Sequence, residues 1–176
     1  MKKIKGIKNA VENVRNESVV RMEMDAYAKV ERVMFYVAEI RGIAKVINDK
    51  EIINECNYIS DISYVLLICI KAYYERHGTQ NENDGRFKDV QNYSTALYVS
   101  LENIINSANL GYENILDDIM DDIADDITEN AVIKCRKLYQ TTVELLPTIK
   151  LEAYRNILCL STEAKDIVSS ITVCEW

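Results

Sequence analysis

The residues best placed by type and spacing to do chemistry lie in one stretch, LDDIMDDIADDI, residues 116–127. Asp117, Asp118, Asp121, Asp122, Asp125 and Asp126 form three pairs with a four-residue repeat. Carboxylates one helical turn apart are ligands for a hard cation such as magnesium, which makes Asp117, Asp118, Asp121 and Asp122 the candidate metal ligands. Asp118, Asp121, Asp122, Asp125 and Asp126 are also an acidic face that a basic protein surface would meet. A plainer explanation covers the same pattern. Two apolar and two polar residues in every four make an amphipathic helix, with Ile115, Leu116, Ile119, Met120, Ile123, Ala124 and Ile127 turned to a core. This helix is the primary expectation, and it leaves one tension. Asp117–Asp121, Asp118–Asp122, Asp121–Asp125 and Asp122–Asp126 are like charges one turn apart, each costing an isolated helix about 0.2–0.5 kcal/mol. The helix dipole relieves only acids of the first turn. Relief must come from the basic N-terminus, from Arg136 and Lys137, from a cation, or from a partner.

Three short resemblances attach to the stretch. Asp117-Asp118-Ile119-Met120-Asp121 resembles the DDxxD motif of prenyl diphosphate synthases, which implies magnesium held on a diphosphate. The second aspartate-rich helix, the basic diphosphate pocket and the chain length of that family are missing. Asp118, Asp121, Asp122 and Asp125 look like one half of the acidic cluster of helical nucleotide pyrophosphatases. Glu51 and Glu55 are the best available second half, and the implied activity is a magnesium-dependent all-α nucleotide phosphohydrolase. Leu116, Met120, Ile123 and Ile127, with Ala124 followed by Asp125, are similar to the death motif of apoptosis regulators, the third Bcl homology motif. That likeness implies a helix offered to a hydrophobic groove, with Asp125 meeting an arginine. The Asn-Trp-Gly-Arg stretch of that family is absent from the sequence.

Other chemistry is sparse. His77 is the only histidine, so no multi-histidine metal site can form. No Gly-x-Ser-x-Gly, phosphate-loop or Rossmann glycine pattern occurs. The five cysteines, Cys56, Cys69, Cys135, Cys159 and Cys174, are widely spaced in apolar surroundings and read as small buried hydrophobes. Eleven tyrosines include Tyr73, Tyr74, Tyr93 and Tyr98 beside charges. They read as half-buried helix flanks, with an interface as the alternative. No catalytic residue is expected.

The elements that must position these residues are helices. Only one proline and five glycines interrupt 176 residues, of which 48% are apolar and 28% charged. Val30, Val33, Val37, Ile40, Ala44 and Ile47 alternate steps of three and four, a stripe that suits a bundle core or a dimer seam. Ile4, Ile7, Val11 and Val14 repeat that rhythm out of phase, so residues 1–47 make one long helix or a pair. Asp49 then caps a short helix through Cys56. Ser60 or Asp61 caps a helix to His77, with Gly78 as its stop. GTQNENDGR, residues 78–86, reads as a mobile loop, placed at about 78–88. Asp89 caps the next helix, Gly111 ends it, Pro147 opens another segment, and Ser161 or Thr162 caps the last. The expected fold is all-α, a single domain over 1–176 built as a bundle of about six to eight helices.

Charge and hydropathy set the function class. The net charge of −7 disfavours general nucleic-acid binding and favours a basic protein partner. Lys2, Lys3, Lys5 and Lys8 make the start basic, which reads as a solvated terminus rather than a membrane or nucleic-acid contact. The most apolar run, residues 62–70, is far short of the ~20 residues a membrane span needs, and the lysine-rich start lacks a signal-peptide core. The expectation is a cytoplasmic, non-enzymatic helical interaction protein without a resident cofactor. It binds a protein partner and is a candidate homo-oligomer. Magnesium enters only with the phosphohydrolase alternative.

Overall fold

The computed structural model describes the backbone of residues 2–75, 85–126 and 137–171, and the side-chain surroundings of Glu17, 20–75, 85–120 and 146–171. The described residues form four α-helices and no strand: α1 (Lys2–Ile47), α2 (Lys50–Tyr74), α3 (Gly85–Asp126) and α4 (Lys137–Ser169). Helix α1 packs on α2 and α4, and α3 packs on α2 and α4, while among the described residues the backbones of the diagonal pairs stay apart. Contacts across the pairs fix an up-down-up-down course. The Tyr27 hydroxyl donates to the Leu67 carbonyl and Arg41 to Asn57, so α1 and α2 are antiparallel. Lys165 binds Glu102 at 3.2 Å while Tyr154 lies on Gly111, so α3 and α4 are antiparallel too.

Each helix supplies a three-four stripe to one shared core. Val30, Val33, Val37, Ile40 and Ala44 of α1 are fully buried, which places that stripe inside the bundle and removes it as a dimer seam. Facing it are Ile52, Cys56, Ile59, Leu66 and Ile70 of α2, Leu97, Leu101 and Ile104 of α3, and Ile157 and Ala164 of α4. A 3.5-residue repeat keeps such a seam facing inward over many turns, which is why helices this long stay packed together.

The helix count expected from the sequence, six to eight, is too high. Four described helices replace it, because several supposed boundaries lie inside helices. Ser60 does not cap a new helix; its hydroxyl bonds back to the Cys56 carbonyl at 2.9 Å while α2 runs on. Ser161 and Thr162 do the same, donating to the Ile157 and Leu158 carbonyls at 2.6 and 2.7 Å within α4. A serine or threonine offers the backbone either a cap or this back-bond, and sequence alone does not choose between them. Gly111 and Pro147 also lie inside helices, and residues 1–47 hold one helix from Lys2 rather than two. Asp89 is no cap, since α3 starts four residues earlier at Gly85. Residues 85–88 of the expected loop are therefore helical. His77, Gly78 and the rest of that loop to Asp84 lie outside the described residues.

One expected boundary is real. Asn48 adopts φ 57°, a left-handed conformation that asparagine tolerates better than most residues. Asp49 then caps α2, its Oδ1 accepting from the Ile52 amide at 3.1 Å. The other carboxylate oxygen accepts from the Tyr154 hydroxyl at 2.9 Å, which ties α4 to the α1–α2 turn. Burial, followed by the bond to Asp49 and its charge, pushes the Tyr154 hydroxyl up to about 12. Burial pushes the Cys56 thiol up to about 12 as well.

Both folded values stand above the ordinary 10.0 and 9.0, so the stability they carry is complete below pH 9 and is lost as pH climbs toward 12. Melting temperature is expected to fall across that window. Tyr154→Phe should flatten the fall between pH 10 and 12 and cost about 0.5–1.5 kcal/mol at pH 7. Thermal melts from pH 7 to 11.5 check this, and an unchanged alkaline slope in the variant would reject it.

Candidate functional site

The site begins where the four-helix cross-section ends. Tyr154 touches both Asp49 and Gly111, which puts the α1–α2 turn level with the middle of α3. Beyond that level α3 continues to Asp126, and α4 approaches from Lys137, with neither α1 nor α2 alongside. The result is a two-helix hairpin projecting past the bundle by roughly 20 Å, at about 1.5 Å of rise per residue.

The hairpin leaves apolar side chains in water. Leu116 and Met120 on α3 are 39% and 65% exposed, and Leu146 and Ile149 on α4 are 55% and 50% exposed. The antiparallel register set by Gly111 and Tyr154 brings Leu116 level with Ile149 and Met120 level with Leu146. Ile115 and Ile119 are half-buried, and neither they nor Leu116 or Met120 belongs to the shared core. The amphipathic reading of this stretch therefore needs a correction. Of its apolar side, the described residues divide: Ile115 and Ile119 are half-buried, while Leu116 and Met120 are open to solvent.

Asp117 and Asp118 are exposed on α3. Asp121, Asp122, Asp125 and Asp126 continue the same helix, and their side chains lie outside the described residues. Among the described residues, no group of three or more acidic, cysteine or histidine residues is gathered as a metal site would require. Glu51 and Glu55 sit on the first turns of α2, which runs from the turn back into the bundle. Asp118 lies on the far side of that turn, so Glu51 and Glu55 are separated from it by roughly two and a half and three and a half helical turns along the axis. The second half of a pyrophosphatase-like cluster is not brought alongside the first. Of the four death-motif positions, Leu116 and Met120 face water, Ile123 is placed by backbone alone, and Ile127 is outside the described residues.

The remaining candidates resolve more simply. Tyr73 and Tyr74 are buried, packed edge-on with centroids 5.0 Å apart, and are core rather than interface. Tyr93 and Tyr98 are half-buried, and the Lys165 ammonium lies 4.5 Å from the Tyr98 ring centre. Cys56 is buried and Cys69 half-buried, as small hydrophobes should be, but Cys159 is exposed. Cys135 and Cys174 lie outside the described residues. No described helix is long and apolar enough to cross a membrane.

Sequence reading missed Leu146 and Ile149, because no acidic repeat marks them and only the register with α3 makes them part of the surface. It also missed the open groove of about 510 Å³ between α1 and α4, lined in part by Gly42, Val46 and Leu160. No protein-family model matches this chain, and neither a curated protein nor a solved structure matches it.

Proposed function

We propose that this chain is a non-enzymatic helical interaction protein, an adaptor, assembly component or inhibitor, that docks a protein with a basic surface on the α3–α4 hairpin. The observation that carries the reading is the coincidence of two features on one projection. Leu116, Met120, Leu146 and Ile149 are exposed at matching levels, and the acidic run that begins at Asp117 and Asp118 lies beside them. An apolar surface rimmed by charge is the composition of a docking site: burial supplies affinity, and the rim supplies orientation and rate. The free thiols of Cys56, Cys69 and Cys159 support a reducing, cytoplasmic setting.

The test is a salt-titrated binding measurement with a partner identified from the native host and then purified. Asp118→Asn, Asp122→Asn and Asp126→Asn combined should keep the melting temperature, or raise it slightly as like-charge repulsion is removed. Affinity at low salt should fall roughly tenfold, and its salt dependence should become shallower. Unchanged affinity and slope would remove the acidic surface from the interface. Exposure of Leu116 and Met120 favours a second reading, insertion of the α3 end into a hydrophobic groove. In that case Leu116→Ala and Met120→Ala abolish binding at every salt concentration while the aspartate variants change little.

A further inference from the structure

Beyond Arg136 and Lys137, which lead into α4 of the same hairpin, the sequence offers the acidic run a larger basic segment within the same chain. Residues 1–15 hold five basic residues, Lys2, Lys3, Lys5, Lys8 and Arg15, against the single acid Glu12. Residues 113–129 hold eight acids and no base. The fold keeps these two segments apart. α1 is one helix of 46 residues, so Lys2 is about 65–70 Å from Ile47 along the axis. The hairpin starts at the Ile47 end and points the other way. The N-terminus of a molecule therefore cannot reach its own aspartates.

Among the described residues, no other helix runs alongside the far end of α1. Tyr27 is level with Leu67, and Lys29 donates to the Ser170 carbonyl, so α2 and α4 come to their described ends near residues 20–29 of α1. α1 before about residue 20 continues beyond the described ends of the other three helices, a projection of roughly 25–30 Å. It matches the hairpin in length, carries the opposite charge, and has its own three-four apolar repeat in Ile4, Ile7, Val11 and Val14. The N-terminal segment is predominantly basic in sequence and the α3 arm of the hairpin predominantly acidic.

We infer that the basic N-terminal projection of α1 docks on the acidic α3–α4 hairpin of a second copy of this chain. The inference rests on the proposed function, since it uses the same hairpin surface and names its occupant. The contact joins unlike surfaces at opposite ends of the molecule. Two copies side by side and antiparallel make it twice and close as a dimer, while copies end to end make it once each and extend. In both arrangements a third helix covers Leu116, Met120, Leu146 and Ile149 and brings lysines to the aspartates.

The experiment is a charge swap on the full chain. One variant carries Lys2→Glu, Lys3→Glu, Lys5→Glu and Lys8→Glu. The other carries Asp117→Lys, Asp118→Lys, Asp121→Lys and Asp122→Lys. Circular dichroism melts establish that each is folded, and a milder pair with glutamine and asparagine replaces any that is not. Sedimentation at 50 and 500 mM salt, over micromolar to hundred-micromolar protein, gives the mass. The unaltered protein should be larger than a monomer at low salt and dissociate at high salt. Each variant alone should associate roughly tenfold more weakly or worse, and an equimolar mixture of the two should regain association, because each then meets its complement. A monomeric unaltered protein at low salt, variants that still associate alone, or a mixture that stays monomeric overturns the inference. The two readings fail separately. A monomeric protein whose aspartate variants lose a foreign partner sinks only this inference, whereas aspartate variants that alter neither self-association nor foreign binding sink the hairpin as a docking surface.

Discussion

Leu66→Ala is expected to cost about 2–5 kcal/mol, among the largest losses available from a single truncation in this chain. Leu66 is fully buried near the middle of α2, where all four helices contribute to the core. Truncation removes the transfer energy of the side chain and leaves a cavity that four long helices cannot readily close. For a domain of this size the melting temperature should drop by roughly 5–15 °C. The contrast that gives the number meaning lies on α3. Met120→Ala, at a side chain 65% exposed, should stay within about 0.5 kcal/mol of the parent protein. Ile119→Ala should fall between the two, because Ile119 is half-buried and lies outside the shared core that Leu66 belongs to. Chemical denaturation of the three variants orders them. A loss at Met120 comparable to that at Leu66 would mean that the hairpin is a second core, and the docking surface would lose its basis.

The helical class, the core stripe of α1 and the turn at Asn48-Asp49 were all legible in the sequence, and for one reason: each is a local pattern with a local cause. Val30 to Ala44 repeat at the period of a helix seam, and a left-handed asparagine before a capping aspartate terminates and restarts the backbone at once. The false boundaries have a local cause as well. Ser60, Ser161 and Thr162 satisfy their hydroxyls on the preceding turn, an alternative that the sequence leaves as open as capping. The site was half legible. The acidic repeat announced itself, but whether its apolar side is buried depends on how many helices lie alongside. That number is set by where α1 and α2 stop relative to α3, a long-range register that no window of sequence contains. Leu146 and Ile149 were invisible for the same reason. Their place beside Met120 and Leu116 follows from the register of α4 against α3.

Gly111→Ala is expected to destabilise the protein by about 1–2 kcal/mol, against the sign that helix propensity alone would give. Gly111 lies inside α3, where alanine is ordinarily favoured by about 1 kcal/mol. Here a β-carbon would run into the ring and hydroxyl of Tyr154. A tyrosine tip in open solvent would swing aside at little cost, but this one is held by its 2.9 Å bond to Asp49, the same carboxylate that caps α2. Making room costs about 1–3 kcal/mol of overpacking or loss of that bond, which exceeds the propensity gain. The glycine is thus the point where α3 passes close under α4 and leaves the bundle for the hairpin, rather than the helix terminator that its residue type suggests. A double-mutant cycle isolates the cause. In a Tyr154→Ala background the ring is gone, so Gly111→Ala should become neutral or stabilising by up to about 1 kcal/mol, with a coupling between the sites of roughly 1–3 kcal/mol. Stabilisation of the otherwise unaltered protein by Gly111→Ala would show that Tyr154 does not pack there. The register that lifts the hairpin above the α1–α2 turn would then lose its anchor.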